Sequence, residues 1–270
     1  MRRVPPIAAA LVLYAALVGL LLPRASAGAL QGQPFEGVAR GFPVLRDSAG
    51  NKLADGDFAQ WLDAERLHVR ITYDFGDGRR IEENATFRQQ PQLVQEEWSF
   101  RESKDGKLVR GFDVDFRSGA ASASKREESE LEEWTEKIET ERGRTFAGFG
   151  FTLAIKAHRM RLVEGERVEL QAVGFTPKPR VVSVELSHGG VDQMRMGGRV
   201  LHGDRFIIHA KIPWIARLFV EVPDTHIWLT TPPPAGFLRW EGPLAEPDDD
   251  VIRVDLLTGE PSGPARAVGW

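Results

Sequence analysis

The sequence of 270 residues contains no cysteine. That absence excludes disulfides, zinc ribbons, iron–sulfur ligation, a cysteine nucleophile and the lipid-bearing cysteine of a bacterial lipoprotein. Positive charge is not in excess. With 35 Lys and Arg against 39 Asp and Glu, the formal charge is −4, which argues against nucleic acid as the partner, because phosphate binding needs a basic surface. Beyond the first 27 residues no apolar run approaches the length of a membrane span. A hydrophobic content of 42% with 27% charged residues fits neither a disordered chain nor a polytopic membrane protein. Familiar catalytic patterns are missing as well. There is no G-x-S-x-G elbow, no Walker lysine and no G-x-G-x-x-G, so the glycines of Gly148-Phe149-Gly150 match no phosphate loop. Ser187 and His188 are adjacent, but neighbours on a strand point to opposite faces. Carboxylates are abundant, yet none is singled out as a glycosidase-like pair.

The N-terminus has the pattern of a secretory signal peptide over residues 1–27. Arg2 and Arg3 precede an uncharged, mostly apolar run of 16 residues from Ile7 to Leu22, and Ala25-Ser26-Ala27 has the small-x-small form of a cleavage site. The run is short for a bilayer span, and an uncleaved anchor is the alternative. Cleavage before Gly28 leaves 243 residues with 32 basic and 39 acidic side chains, a net charge of −7. Export without cysteine suggests the bacterial periplasm or exterior, with stability supplied by a large core alone.

Residues 28–63 are expected to form an extended lead-in with a short helical turn at Phe58–Leu62. From Leu67 the pattern sharpens. Leu67, Val69, Ile71, Tyr73 and Phe75 alternate with polar residues, the period of a strand with one buried face. Gly76-Asp77-Gly78 supplies a tight turn, and Ile81, Ala85 and Phe87 continue the apolar phase. Val94, Trp98 and Phe100 mark a third strand. Leu108, Phe112, Val114 and Phe116 mark a fourth, after the turn Ser103–Gly106. Together these four make a β-meander.

Charge dominates from Lys125 to Arg144. Leu131, Trp134 and Ile138 at helical spacing, with Ser129 and Glu132 in a capping-box arrangement, predict a helix over 129–142; a charged strand is the alternative. The stretch 146–163 fits a helix through Phe149, Leu153, Ala157 and Met160, or a strand through Phe149, Phe151, Leu153 and Ile155, and the helix is preferred. Strands are expected again at Val168–Ala172, Val182–Leu186, Val191–Met196, Phe206–Ile212, Ile227–Thr230, Phe237–Glu241 and Val251–Leu257. The resulting fold class is mainly β, of the α+β type: an antiparallel sheet with one or two inserted helices. The domain layout is a signal peptide (1–27), a lead-in (28–63), one β-rich domain (64–258) and a tail (259–270).

Charges in the apolar phase are the main candidates for a site. Glu83, Glu96 and Arg110 occupy positions that alternation turns inward. Matching apolar phases across the turns sets Glu83 opposite Trp98, and Trp98 opposite Arg110. Because unpaired charges in a dry core are expensive, the row is internally paired, open to water at a sheet end, or part of a ligand cavity. On the cavity reading, Glu83, Glu96, Trp98, Arg110 and Phe112 are the candidate ligand-binding residues. The histidines His68, His158, His188, His202, His209 and His226 show no metal-binding spacing. Asp74 with Asp77, and Glu246 with Asp248–Asp250, fit turn chemistry better than calcium binding. Nothing in the sequence calls for a cofactor or a metal. The apolar clusters Ile212–Ile215, Leu218–Val220 and Ile227–Leu229 read as core, or as the lining of an apolar pocket.

A signal ending in Ala25-Ser26-Ala27, the meander from Leu67 to Phe116, the inserted helical segments and further strands up to Leu256 resemble bacterial exported half-barrel envelope proteins, of which the periplasmic lipoprotein carriers are the best known. The resemblance covers about residues 60–257 and is one of plan, with no motif matched residue by residue. It implies a long curved sheet that holds acyl chains on its concave face. The expected function is therefore an exported, non-catalytic protein that binds an apolar or lipid-like molecule, with no nucleic acid partner and no transmembrane span once processed. An exported hydrolase acting on a glycan or small ester is one alternative. A structural module of the envelope is another.

Overall fold

Sixteen strands hydrogen-bond into one sheet in the computed structural model, which describes residues 36–127, 130–196, 198–211 and 222–256. The chain begins with β1 (Ala39–Gly41), β2 (Val44–Asp47) and β3 (Lys52–Asp63). The meander follows as β4 (Arg66–Phe75), β5 (Arg79–Arg88), β6 (Val94–Lys104) and β7 (Lys107–Asp115). Its inward residues are those that alternation picked out: Leu67, Val69, Ile71, Tyr73, Ile81, Ala85 and Phe87 are all buried. Asp105 and Gly106, both with positive φ, close the β6–β7 hairpin, as the right-handed twist of two-residue turns requires.

The meander then runs on into β8 (Ala120–Glu127) and β9 (Glu130–Lys137). After β10 (Thr145–Phe146) comes the one helix among the described residues, α1 (Gly150–Val163). The remaining strands are β11 (Val168–Phe175), β12 (Pro179–Met196), β13 (Arg199–Ala210), β14 (Thr225–Thr230), β15 (Phe237–Pro243) and β16 (Val251–Asp255). Two antiparallel meanders result, β3–β9 and β11–β16. They join because β16 pairs with β2, which pairs with β3. The outermost strands are β9 and β10, and only the β10–β11 pair is parallel. The sheet is long, curved and unclosed. It curls far enough that Phe175 at the end of β11 stacks on Phe112 of β7, with ring centroids 4.3 Å apart.

Four expectations are corrected. The lead-in contains three strands, and the turn of helix expected at Phe58–Leu62 is part of β3. The helix expected over 129–142 does not form, and Glu130–Lys137 are instead strand β9. Pairing with the open edge of β8 gives one side of its backbone a ladder of hydrogen bonds and extends the sheet, which prevails over a thin helical stripe. Of the two readings of 146–163 the helix is observed, but it starts at Gly150, with Thr145 and Phe146 in a strand. The strands expected at Val182–Leu186 and Val191–Met196 are one, β12, with an irregularity between His188 and Gly190 where a turn was expected.

Helix α1 is buried on most sides, through Phe151, Leu153, Ala154, Ile155, Ala157, His158 and Leu162. It packs inside the curl with the sheet wrapped round it, which is why no single apolar stripe marks it. Arg159 ties it to the sheet by a charge-assisted hydrogen bond to the buried Asp204 of β13, which also lies 3.4 Å from His188 of β12. No described helix is long and apolar enough to cross a membrane.

Candidate functional site

A cavity of about 490 Å³ lies between the start of α1 and the concave face of the sheet. Both meanders contribute to it. Phe58, Ile71, Tyr73, Ile81, Trp98 and Phe100 come from one side, and Phe175, Val184, Ile208, Phe237 and Trp240 from the other. Its wall also includes the exposed Arg40 of β1. The size and apolar lining are those of a small-molecule pocket.

Glu83 of β5 projects into this space. Its Oε1 accepts two hydrogen bonds, from the Trp98 indole Nε1 at 2.8 Å and from the Phe149 backbone N–H at 2.7 Å. Phe149 precedes the first turn of α1 and has no side-chain cap of its own, so the Glu83 carboxyl serves the helix N-terminus from across the interior. Burial pushes the Glu83 carboxyl above its ordinary value, against the opposing effect of these two hydrogen bonds. The Tyr73 phenol is also raised, by burial first and by neighbouring Glu83 second.

The Gly148-Phe149-Gly150 segment acquires its reason here. Gly148 has φ +50°, and a Cβ on it would stand 2.0 Å from Glu83 Oε1 and 2.4 Å from Trp98 Nε1. A Cβ on Gly150 would stand 2.4 Å from Gln95 Oε1. The glycines admit the backbone to within hydrogen-bonding distance of the sheet. Gln95 then clamps Ala147 both ways, its Nε2 donating to the carbonyl at 3.1 Å and its Oε1 accepting from the N–H at 2.8 Å. Sequence reasoning missed Gln95. It faces inward because Glu96 is an extra residue on β6: Thr86 pairs with Glu97 and Phe87 with Gln95.

The five sequence-derived candidates occupy four different places. Glu83 and Trp98 line the cavity. Phe112 is buried in the stack of Phe100, Phe112 and Phe175 behind the wall. Glu96, on the bulge, is buried between Arg66 and Arg88, at 2.8 and 3.2 Å. These arginines are direct cross-strand partners, and the shared carboxylate neutralises a like-charge pair. Burial acts to raise the Glu96 carboxyl, but hydrogen bonds from Arg66 and Arg88 hold it below its ordinary value. Arg110 lies in a second ion cluster, donating from Nε to Glu102 at 2.7 Å and from Nη1 to Glu246 at 2.7 Å and Asp249 at 2.9 Å.

The expected row across three strands is therefore corrected. Glu83 pairs with Phe100, Trp98 with Val114, and Arg110 with Glu102. Two extra residues, Glu96 on β6 and Val109 on β7, each shift the register of their hairpin by one, and the position of the turns accounts for the rest, since Arg88 pairs with Val94 and Lys104 with Lys107. Trp98 still reaches Glu83, because a long aromatic side chain spans the diagonal of the ladder.

Among the described residues no group of three or more histidines and carboxylates is placed to hold a metal. Asp74 and Asp77 are paired with Arg80 and Lys104. His209 lies 2.7 Å from Asp224. His158, on α1, is buried with Nδ1 unpartnered among the described residues, and burial, aided by Arg161, pushes its pKa down to about 4. The clusters at Ile212–Ile215 and Leu218–Val220 and the signal segment lie outside the described residues.

Fold and site together define an open antiparallel half-barrel with a central helix and an apolar internal cavity. No family model and no curated protein matches the chain. Among solved structures it is similar to a β-barrel-like protein of domain of unknown function DUF1849 from Brucella abortus, at a TM-score of 0.48 and 9% identity over 82% of this chain and 96% of that one. It is similar also to the hypothetical lipoprotein YmcC from Escherichia coli, at a TM-score of 0.36 and 9% identity over 85% and 92%. The resemblance is weak and one of architecture.

Proposed function

We propose that this protein binds an apolar or amphiphilic, lipid-like molecule inside the half-barrel, as an exported, non-catalytic component of the bacterial envelope. The observation that carries this reading is the cavity, which borders the main hydrophobic core and is lined mainly by aromatic and aliphatic side chains. A core built for stability alone would fill that space, since voids are costly. The N-terminal apolar segment with its Ala25-Ser26-Ala27 site supports export. Binding is favoured over hydrolysis by the state of the carboxylates on the wall. Glu36 is paired with Lys156, and Glu246 with Arg110 and Lys125, so Glu83 has no second uncommitted carboxylate beside it among the described residues. Native mass spectrometry of protein purified gently from its own host tests the reading. A co-purifying lipid-sized mass that is extractable into organic solvent is the expected result. Ligand-free protein with no measurable affinity for amphiphiles would overturn it.

A further inference from the structure

We infer that the cavity takes a ligand whose polar end is an uncharged hydroxyl, held between Glu83 Oε2 and the Tyr73 hydroxyl, in preference to one ending in a carboxylate. The inference rests on the ligand-binding reading and assigns its chemical class. Both hydrogen bonds received by Glu83 go to Oε1. No hydrogen bond among the described residues reaches Oε2 or the Tyr73 hydroxyl, although both side chains line the cavity. The two residues are neighbours on one face: Glu83 pairs with Ile71 and Tyr73 with Ile81, which sets them on the diagonal of the β4–β5 ladder. Polar atoms turned toward an apolar space without a partner mark where a ligand's own polar group belongs.

The chemistry of the wall selects the head group. Of the other charged side chains lining the cavity, Lys156 is paired with Glu36 and Glu246 with Arg110 and Lys125, while Arg40 is mostly exposed and lies 3.7 Å from Asp57. The one half-buried cation of the lining, Lys156, is thus already neutralised, and a ligand carboxylate beside Glu83 would stand next to a second carboxyl group without a free buried counter-charge. A hydroxyl meets both atoms at once, donating to Glu83 Oε2 and accepting from the Tyr73 O–H. The remainder of such a ligand, an alkyl or isoprenoid chain, matches the aromatic and aliphatic lining.

The test compares dodecanol with dodecanoate near neutral pH, on purified protein stripped of lipid, by calorimetry. Dodecanol is expected to bind at least about tenfold more tightly. Tyr73→Phe, which removes only the hydroxyl, is expected to weaken dodecanol about five- to tenfold. Glu83→Gln keeps an oxygen for Trp98 and Phe149 and presents an NH₂ in place of Oε2. It is expected to narrow or reverse the preference by favouring dodecanoate. Unfolding curves of each variant establish that it is folded, and Tyr73→Phe decides the matter if Glu83→Gln is not. Equal affinities for the two probes, or a preference unmoved in both variants, would overturn the assignment and leave the lipid-binding reading standing. Binding of neither probe would overturn both.

Discussion

Replacing Arg110 by Met tests the ion cluster that this residue holds together. Arg110 is nearly inaccessible, with 9% of its side chain exposed, and it contacts three carboxylates that are themselves buried or half-buried. Glu246 and Asp249 belong to the loop between β15 and β16, whereas Arg110 is on β7, so the cluster fastens one meander to the other across the interior. Arg79 at 2.6 Å from Glu102 and Lys125 at 3.3 Å from Glu246 complete a set of three cations and three anions. Met fills much of the aliphatic volume and removes the charge. Two carboxylates keep a cation, and Asp249 keeps only the N–H groups of Ala245 and Glu246. Removing one partner of a buried pair costs roughly 3–5 kcal/mol, and the surviving cations place this case near the lower end. The melting temperature should fall by about 6–12 °C for a domain of this size. The loss should also depend on pH. Burial acts to raise the Asp249 carboxyl, but Arg110 and the two N–H groups hold it below its ordinary value, so the native protein binds fewer protons there than the unfolded chain. That stabilisation is complete above the ordinary carboxylate range and is lost as pH falls through the native value. In the variant the Arg110 interaction is gone, and protonation relieves the uncompensated charge. Urea unfolding followed by tryptophan emission at neutral and mildly acidic pH should thus show a gap between the two proteins that shrinks with acidity. A loss below about 1 kcal/mol, or a gap independent of pH, would refute the reasoning.

Gly148→Ala should destabilise by at least about 1–3 kcal/mol from backbone strain alone, with more from the collision with Glu83, read as a lower urea midpoint. Glu83→Gln should gain stability over the natural protein as pH rises. The raised carboxyl makes the folded state the better proton binder, so its stability declines from the ordinary value of 4.5 up through the native one, and the amide has no such dependence. His158 works in the opposite direction. With its pKa depressed from 6.5 to about 4, the folded state resists protonation, and roughly 3 kcal/mol of stability should be lost as pH falls through that window. His158→Leu should abolish that part of the acid sensitivity in paired unfolding curves, and an unchanged profile would refute the assignment.

Much of the fold is legible in the alternation of residues. Leu67 to Phe75 and the strands after it read correctly because a half-buried strand imposes period two on its own sequence, whatever it pairs with. The charges at Glu83, Glu96 and Arg110 were legible as exceptions to that rule. Their partners were not, because register depends on where each turn falls and on bulges, and neither Glu96 nor Val109 carries a local mark of being the extra residue. The stretch 130–137 misled for a related reason. Leu131, Trp134 and Ile138 have helical spacing, and only the adjacent open edge of β8 makes the strand the better outcome.

The missing cysteine, the modest negative charge and the period-two pattern came from the sequence by itself. They established a β-rich chain held by its core, with no disulfide, no phosphate loop and no recognisable nucleophile, because these depend on composition and on neighbours within a few residues. The tertiary structure alone decided that β16 closes onto β2 some two hundred residues away, that a helix lies inside the curl, and that Gly148 and Gly150 exist to let its N-terminus meet Glu83 and Gln95. Those contacts join residues far apart in the chain, and no local pattern records which distant surface a side chain will meet.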